Sequence, residues 1–488
     1  MTTRKKATLL QALIPILLLI ALLTLNVVVF GSDAIAGANQ IVLLFAAAAA
    51  GIIAWQLGYT YSEISESIVR SISSAMPAII ILLTIGSLSG TWLLSGIVPA
   101  MIYYGLKILS PGIFLFAACI VSAIVSLATG SSWSTVATVG VALLGIGQAL
   151  ELPEGVVAGA IISGAYFGDK MSPLSDTTNL APAMAGTDLF THVRYMTYTT
   201  VPSLGITLLI YFIWGFTFNP ADNETSSDEV LQAIGSTFNL TPWLLAVPAL
   251  VIFMIIKRVP AAPALLAGAL LGGIFAVIFQ PDVVNQVSGI KDDYARSSFT
   301  AVMNALSTTI HITTGNEAIN ELLTGKGMAG MLNTVWLIIC AMIFGGTMES
   351  CGLLNRIASE IIRFAKSTGS LVASTAATCV FFNVTASDQY MAIAVPGRMY
   401  ADTYRKRGLK PEVLSRTLED AGTVTSVLVP WNTCGATQAG VLGVATAVYA
   451  PYTFFCLLSP LMTVLFAYFN IKIRKYESKE TSQSRVGA

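Results

Sequence analysis

The chain has 488 residues and a formal net charge of zero, because its 26 Lys and Arg residues balance 26 Asp and Glu residues. Hydrophobic residues make up 55% of the chain and charged residues only 11%, and the mean hydropathy is +0.75. A soluble domain has about 25% charged residues, so this composition excludes a soluble enzyme, a disordered chain and a nucleic-acid binder. The sequence predicts an all-α polytopic membrane protein.

The first charge-free run, 7–32, follows three basic residues. It is predicted to be a retained transmembrane helix, because its apolar core is longer than that of a signal peptide and no small-residue cleavage site ends it. Later charge-free runs also reach the length of a span, and 108–150 and 421–471 are each long enough for two segments. Segments 59–75 and ~297–325 are less apolar and are predicted to be interfacial helices.

Two parts of the chain resemble each other at an offset of about 256 residues; Gly96, for example, matches Gly352. Because an ordered series of such matches indicates a duplicated unit, residues ~76–185 and ~331–447 are predicted to be two copies of one unit. The other matched pairs are Gly90-Thr91 with Gly346-Thr347, Thr129 with Thr385, Ser131 with Ser387, Pro153-Glu154 with Pro411-Glu412, Gly164 with Gly422, and Pro173 with Pro430.

The charges that flank the two copies differ. Nine Lys or Arg residues flank the run 367–387 of the second copy, whereas the equivalent flanks of the first copy contain Lys107 alone. Because Lys and Arg accumulate in cytoplasmic loops, the two copies are predicted to have opposite orientations in the membrane. Inverted repeats are common in secondary transporters, whose substrate and ion sites lie near the bilayer midplane.

Both flanks of residues ~367–397 are basic, which places both on the cytoplasmic side. The intervening segment is therefore predicted to be a re-entrant helical hairpin with a polar tip at 383–388. The first copy has a matching segment, ~111–150, with a polar tip at 129–135. Irregular backbone is tolerated at membrane depth where it lines a cavity. The alternative is a pair of ordinary short spans joined by a polar bend.

One topology satisfies this distribution of charge, with about ten transmembrane helices and two re-entrant hairpins. The loop 219–241 is acidic, lacks Lys and Arg, and is predicted to be extracellular. Lys257-Arg258 and both termini are predicted to be cytoplasmic. The basic residues that remain outside in this arrangement are Lys107, Lys291, Arg296 and Lys326.

The repeat and the topology divide the chain into five predicted parts. The first repeat contains a predicted broken helix at about 155–185, and the second repeat contains one at about 412–447. The five parts are N-terminal helices at 1–75, the first inverted repeat at 76–220, connecting helices and loops at 221–328, the second inverted repeat at 329–471, and a cytoplasmic tail at 472–488.

The most unusual stretch is 168–179, with the sequence G-D-K-M-S-P-L-S-D-T-T-N. It interrupts an apolar segment with three charges and a proline, which removes a backbone donor. A helix broken at this point exposes the charged ends of its dipole, and ionisable residues within a membrane are functional candidates. Carboxylate, hydroxyl and carbonyl oxygens together suit a hard cation such as Na+. A cytoplasmic loop with solvated charges is the alternative.

The two aspartates of this stretch have a second property that suits exchange. Burial favours the neutral form of a carboxylic acid, so Asp169 and Asp176 could each hold either H+ or Na+, but not both. Lys170 is expected to pair with a nearby aspartate, but not with its helical neighbour Asp169, since adjacent residues do not face each other on a helix.

The equivalent stretch of the second copy, 426–435, is broken by Pro430 but carries no carboxylate. Acidic groups reach this copy from Asp388 at the hairpin tip and from Glu419-Asp420. We expect Asp388 to be buried, whereas Glu419-Asp420 is expected to lie at the cytoplasmic end of its helix beside Arg416. The two copies are therefore predicted to have diverged in where they carry acids.

The stretch G-A-Y-F-G-D-K-M-S-P-L-S-D-T-T-N-L-A-P, residues 164–182, resembles the signature of the NhaC-type sodium/proton antiporter family, and V-P-W-N-T at 429–433 adds to the resemblance. The likeness covers most of 76–471. It implies the ion-transporter superfamily, with inverted repeats and re-entrant hairpins, a bacterial plasma membrane location, and electrochemical exchange of Na+ for H+. The residues that match the signature are Asp169, Ser172, Asp176, Thr177 and Thr178.

These observations define two sets of candidate site residues. Ions and protons are predicted to bind at Asp169, Ser172, Asp176, Thr177, Thr178, Asn179 and Asp388. A substrate or second ion is predicted to bind at Thr129, Ser131, Ser132, Asn383, Thr385, Ser387, Asn432 and Thr433.

The main functional hypothesis is a Na+/H+ antiporter that works by alternating access. The alternative is a Na+-coupled transporter or exchanger of a small organic anion, of the malate and lactate type, or of an amino acid, because some relatives carry such solutes. No arginine falls in the predicted site, which argues against a dicarboxylate and leaves Lys170 as the available cation.

The remaining predictions concern partners and other classes of protein. An intramembrane enzyme is disfavoured, because the sequence shows neither a nucleophile with an adjacent base nor a metal-ligand cluster. A passive channel is disfavoured by the titratable carboxylates and the inverted halves. The six cysteines are expected to be buried thiols, no cofactor is predicted, the partners are the lipid bilayer, Na+ and H+, and a homodimer is left open.

Overall fold

The computed structural model describes residues 5–30, 34, 37–218, 220–314, 319–320 and 323–476. This part of the chain is helical apart from one small antiparallel pair of strands. Eight of its helices are long and apolar enough to cross a membrane, and up to ten spans result if each of two bent helix pairs counts as one. The predicted class, an all-α polytopic membrane protein, is confirmed.

The first half of the chain contains the N-terminal helices and the first repeat. A π-helical turn, Val136–Gly140, joins two of its short helices. The helices are Leu9–Phe30, Ala38–Gln56, Tyr61–Leu94, Ile97–Ile108, Pro111–Thr129, Ser132–Thr135, Val141–Ala149, Glu154–Met171, Asp176–Ala185 and Leu189–Gly215.

The second half contains the connecting elements and the second repeat. Strands Ile310–His311 and Thr324–Gly325 pair with Ile310 opposite Gly325, and a π-helical turn covers Glu419–Thr423. The α-helices are Pro220–Thr237, Ala246–Ile256, Ala261–Phe279, Pro281–Ser288, Tyr294–Ser307, Leu332–Ser350, Leu353–Ile362, Thr368–Thr385, Gln389–Lys406, Pro411–Leu418, Thr433–Leu442, Thr446–Tyr449 and Phe454–Tyr468; 3-10 turns cover Pro242–Leu245, Met328–Met331, Ser426–Leu428 and Ala450–Tyr452.

The two repeats have the same order of elements, and left-handed glycines stand at equivalent positions. Gly96 (φ 76°) and Gly352 (φ 71°) each end a long helix and begin a short one. Gly186 (φ 84°) and Gly443 (φ 72°) each follow a broken helix. Glycine adopts this conformation without the steric cost that a Cβ adds, so these positions explain why the same turns recur in both repeats.

The two hairpins break at the polar tips that the sequence predicts. The first breaks after Pro111–Thr129 at Gly130, which has φ 72°. The second breaks after Thr368–Thr385 near Ser387, a non-glycine residue with φ 59°. A non-glycine residue in this region carries strain that surrounding contacts must hold, and the tips are therefore fixed irregular turns between helices.

Close helix packing positions the first broken helix against the first hairpin. Gly164 and Gly168 lie one turn apart, and a Cβ added at either would collide with the backbone of Cys119 or Ala123 in Pro111–Thr129. Small residues at this spacing allow two membrane helices to approach closely. The backbone next to Asp169 therefore lies directly against the hairpin arm.

Several predicted boundaries are wrong in detail. Residues 59–75 do not form a separate interfacial helix, because most of them belong to the uninterrupted helix Tyr61–Leu94, which Thr60 and Glu63 begin with a capping box. Most of the predicted loop 219–241 lies in the helix Pro220–Thr237. The second hairpin extends beyond 397, since its second arm is helical to Lys406. These boundaries were predicted from changes in side-chain polarity. The helices continue beyond them because backbone hydrogen bonds do not depend on the polarity of the side chain.

Candidate functional site

A cavity of about 830 Å³ lies between the two hairpin tips and the first broken helix. Acidic side chains from both repeats reach its wall, namely Asp169 and Asp176 from the first and Asp388 from the second. Among the residues that the structure describes, no three His, Cys, Asp or Glu side chains lie close enough to share one metal ion. The acids are therefore distributed around the cavity, with neutral oxygens between them. The predicted site residues at its wall are Thr129, Ser131, Asp169, Asp176, Thr177, Asn179, Asp388 and Thr433.

The first broken helix is interrupted between Met171 and Asp176, and side chains from its second half bind the carbonyls freed by the break. The Thr178 hydroxyl donates to the carbonyl oxygens of Asp169 at 3.2 Å and Lys170 at 3.0 Å. The Asn179 amide donates to the carbonyl of Pro173 at 3.0 Å and to that of Ser175 at 2.7 Å. These bonds replace the backbone partners lost at a helix end and fix the two half-helices relative to each other.

Asp169 connects the first broken helix to the tip of the first hairpin. Its Oδ2 accepts hydrogen bonds from the Ser132 hydroxyl at 2.6 Å and from the Ser132 backbone N–H at 3.1 Å. The side chain is 9% exposed and still lines the cavity. Hydrogen bonds to an ionised acceptor are about twice as strong as neutral ones, so Ser132 orients the carboxylate at the cavity wall.

Thr177 connects the cavity to an acid of the second repeat. Its hydroxyl lies 3.1 Å from the Ser175 hydroxyl and donates to Glu419 Oε1 at 3.1 Å. Glu419 is fully buried. The expectation that Glu419-Asp420 lies at the cytoplasmic end of a helix is wrong, because both side chains are completely enclosed.

The second broken helix is held to its hairpin by amides. Asn383 donates to the carbonyl of Gly422 at 2.7 Å and to the Thr425 hydroxyl at 3.0 Å. Asn432 donates to the Asn383 backbone and side-chain oxygens at 3.0 and 3.2 Å, and its own Oδ1 accepts from the Cys434 N–H at 3.0 Å. Both asparagines are fully buried, so this neutral network joins the tip to the helix break without a charge.

Asp388 is the acidic residue that the second repeat contributes to the cavity wall. The residue caps the second hairpin arm, where its Oδ1 accepts from the Met391 N–H at 2.9 Å, and it is only 4% exposed. Thr433 lies beside it at the cavity wall, and its N–H donates to the carbonyl of Ser387 at 2.9 Å. The residue therefore places a carboxylate that caps a helix at the cavity wall.

An arginine also reaches the cavity, contrary to the expectation that the site contains none. Arg258 lines the cavity from an exposed position in the turn that follows Ala246–Ile256. It was missed because it lies in a predicted cytoplasmic loop, far in sequence from both repeats. The cavity therefore has one basic side chain at its edge.

A buried group of charges lies on the other side of the first broken helix. Lys170, Asp420 and Arg416 are all fully buried, and Lys170 Nζ forms an ion pair with Asp420 Oδ1. Arg416 Nε is 4.0 Å from Asp420 Oδ2. Lys170 does pair with an aspartate, but the partner comes from the other repeat and is not one nearby in sequence. The sequence signal for this group is the i,i+4 spacing of Arg416 and Asp420, which places the two side chains on the same face of a helix.

The remaining predicted site residues lie behind the cavity wall. Ser132 contacts the cavity only through Asp169, and the Ser172 hydroxyl accepts from the Leu174 N–H at 3.3 Å. The Thr385 hydroxyl donates to its own helix, at the carbonyl of Phe381 at 2.7 Å. Residues in this set support the site and do not line it: Ser132, Ser172, Thr178, Asn383, Thr385, Ser387 and Asn432.

Comparison with known proteins identifies the family. The sequence profile of the Na+/H+ antiporter family matches residues 164–471. The chain is 38% identical to the Na(+)/H(+) antiporter NhaC of Alkalihalophilus pseudofirmus, across 86% of this chain and 87% of that protein. It is also 38% identical to the Malate-2H(+)/Na(+)-lactate antiporter of Bacillus subtilis, across 85% of each.

A third relative covers nearly the whole chain. The chain is 34% identical to the Arginine/ornithine antiporter ArcD of Halobacterium salinarum, across 97% of this chain and 94% of that protein. The profile match includes the break of the first broken helix, with Asp169 and Asp176, the second hairpin and the second broken helix. This multi-pass membrane protein belongs to the Na+/H+ antiporter family.

Proposed function

We propose that this protein exchanges Na+ for H+ across a bacterial plasma membrane by alternating access, with both termini in the cytoplasm. The family and the names of its relatives support the reaction. The structural observation that carries the proposal is the position of Asp169. This carboxylate sits at a helix break, is oriented by a hairpin tip and lines the shared cavity.

Two aspartates have the clearest part in the proposed exchange. Asp169 and Asp176 face the cavity from opposite sides of the same helix break. Na+ would neutralise the carboxylates when bound, and protons would do so when Na+ leaves, so the two ions compete for the same groups. Hydroxyls at the wall, including Thr129, Ser131 and Thr177, supply the neutral oxygens that complete the coordination of a hard cation.

The shape of the cavity supports an alternating mechanism. Its wall includes exposed Arg258 and Pro260 in the turn after Ala246–Ile256. The charge distribution assigns that turn to the cytoplasm. The conformation is then open to the cytoplasm, and rocking of one repeat against the other would open the same site to the outside.

The direct test uses purified protein in liposomes that hold a preformed pH gradient and a pH-sensitive dye. We expect added Na+ to collapse the gradient without any organic solute. If liposomes with the protein respond to Na+ no more than protein-free liposomes do, the proposal is contradicted. The response to Li+ and K+ in the same assay measures the selectivity of the site.

Asp169→Asn tests the role of the carboxylate in the same assay. Two unit charges about 4 Å apart attract by about 4 kcal/mol at an effective dielectric constant of about 20, which corresponds to about a thousandfold in affinity. We therefore expect exchange to fall below detection while the protein stays folded. The matched control is Asp293→Asn, since this aspartate caps an outer helix by accepting from the Arg296 N–H at 3.1 Å, and asparagine caps equally well.

Coupling to a small carboxylate is the second candidate function. Two observations favour it: Arg258 lies at the wall, and a cavity of about 830 Å³ is much larger than a bare ion needs. Arginine binds carboxylates through paired hydrogen bonds. This function would be established if Na+ alone does not collapse the pH gradient, but Na+-dependent flux appears when malate, lactate or an amino acid is supplied. Asp169 would then be part of a coupling-ion site.

A further inference from the structure

An ion pair joins two pairs of consecutive residues, one pair from each repeat. In the first repeat, Asp169 faces the hairpin tip and the cavity, whereas its neighbour Lys170 faces Asp420. In the second repeat, Glu419 faces the cavity-lining Thr177, whereas its neighbour Asp420 faces Lys170. The ion pair thus stands behind the wall that both acids support.

Lys170 depends strongly on this one carboxylate. Its ammonium group is fully buried and contacts Asp420 Oδ1 and, at 2.8 Å, the Ser459 hydroxyl. Asp420 is the one carboxylate that forms an ion pair with it in the part of the chain that the structure describes. A buried charge that loses its counter-ion is strongly destabilised, so an unpaired Lys170 would turn to the nearest other acid.

Asp420, in contrast, has two hydroxyl partners and a second basic neighbour besides Lys170. Thr199 donates to its Oδ2 at 2.9 Å, and Ser459 lies 3.2 Å from its Oδ1. The guanidinium of Arg416 is fully buried, and its Nε lies 4.0 Å from Asp420 Oδ2. These groups come from three different helical segments, so Asp420 would remain stabilised if Lys170 were replaced by an apolar side chain.

Glu419 is the other acid available to an unpaired Lys170. It is fully buried and interacts with Lys170 electrostatically, whereas Asp169 is adjacent to Lys170 on one helix and faces away from it. An ammonium group placed against Glu419 would lie beside the cavity-lining Thr177 and repel a cation there. It would also draw Glu419 away from Thr177.

We propose that Asp420 is a positioning residue that sequesters Lys170, and thereby keeps Glu419 free to hold Thr177 at the cation site. The inference rests on the proposed Na+/H+ exchange. It assigns to Lys170 the role of an internal competitor for Na+, held away from the cavity by a carboxylate of the opposite repeat. An ion pair that served only to hold the repeats together would change the stability of the fold and leave the Na+ concentration at half-maximal exchange unchanged in folded variants.

The unequal surroundings of the two partners make the test asymmetric. We expect Asp420→Asn to raise the Na+ concentration at half-maximal exchange by about tenfold or more, because the freed ammonium group competes with Na+. Lys170→Met should raise it by less than about threefold, since Asp420 keeps its other donors. The double variant Lys170→Met/Asp420→Asn should return the half-maximal concentration to within about threefold of the wild type, since the competitor is removed.

The measurement is Na+-dependent collapse of a pH gradient in liposomes, fitted separately for half-maximal Na+ concentration and maximal rate. The matched control is Glu412→Gln. This buried acid lies on the preceding helix and pairs with Arg474 at 3.2 Å, away from the cavity. If Asp420→Asn does not yield folded protein, the comparison of the double variant with Lys170→Met decides, because neither contains an unpaired lysine.

The outcomes separate the two proposals. A half-maximal Na+ concentration unchanged in folded Asp420→Asn would overturn the positioning role, as would a double variant no better than Asp420→Asn. If the single variant does not fold, a double variant with a half-maximal concentration far above that of Lys170→Met overturns it. The wild-type protein is measured first. If it does not respond to Na+ at all, the exchange function is overturned.

Discussion

The two broken helices perform the same structural task with different chemistry. In the first repeat the helix break is tied to its hairpin tip by a carboxylate, Asp169, which accepts two hydrogen bonds from Ser132. In the second repeat the same connection is made by two amides, Asn383 and Asn432, which bond to each other and to the backbone. One connection carries a charge at the cavity wall, and the other is neutral and lies behind it.

This difference indicates a division of labour between the repeats. An amide pair satisfies its own donors and acceptors, so it needs no ion and is stable in any state of the cavity. A carboxylate at a helix break needs a cation or a proton to offset the cost of burying its charge. In the proposed exchange, the second repeat would provide a fixed frame, and the first would provide the group whose partner changes.

The largest expected effect comes from placing a charge in the neutral connection. Asn432→Asp removes both hydrogen bonds to Asn383 and buries an unpaired carboxylate, which should cost about 3–5 kcal/mol. The measurement is the thermal midpoint of the detergent-solubilised protein. Asn355→Asp is the matched control, because that asparagine is exposed in the helix Leu353–Ile362 and the change should cost less than about 1 kcal/mol. Equal shifts in the two midpoints would break the comparison.

A smaller effect is expected when one hydrogen bond is removed from each connection. Ser132→Ala removes the hydroxyl bound to Asp169 but keeps the backbone N–H. A hydrogen bond to a charged group contributes about 1.5–3 kcal/mol, so the half-maximal Na+ concentration should rise by about tenfold. Thr425→Val removes an acceptor of Asn383, and should lower the thermal midpoint without changing the Na+ dependence. A changed Na+ dependence in Thr425→Val would contradict the division of labour.

The smallest effect is expected at Asp388, the acid that the second repeat contributes to the cavity. Asp388→Asn keeps the helix cap, since asparagine and aspartate cap equally well, and removes only the charge. Because Asp169 and Asp176 remain, the maximal exchange rate should fall by less than about tenfold. A loss as complete as that in Asp169→Asn would show that the acids of both repeats are required.

Much of this arrangement follows from the sequence because it depends on local patterns. Charge-free runs predict the membrane helices, and the glycines at 96 and 352 mark equivalent turns through their left-handed conformation. The polar residues at 129–135 and 383–388 predict both hairpin tips. Asp169, Asp176 and Asp388 all reach the cavity, since each is a polar interruption of an apolar segment and such interruptions converge where helices break.

The long-range contacts could not be predicted in the same way. Asp420 lies 250 positions from Lys170, and no local pattern reports which charges meet across the repeats. The basic residue Arg416 suggested a cytoplasmic helix end, but it is buried with Asp420. Arg258 was missed for a related reason, since tertiary packing alone brings its loop to the cavity.

The burial of every cysteine has a practical consequence for chemical labelling. All six thiols lie inside the protein, and modification requires an accessible thiolate. A single cysteine introduced at an exposed position of the cavity wall, such as Asn179, would therefore react far ahead of the native thiols. An impermeant maleimide, applied to one face of the membrane at a time, would then reveal which compartment sees that position, and the native sequence could otherwise be left intact.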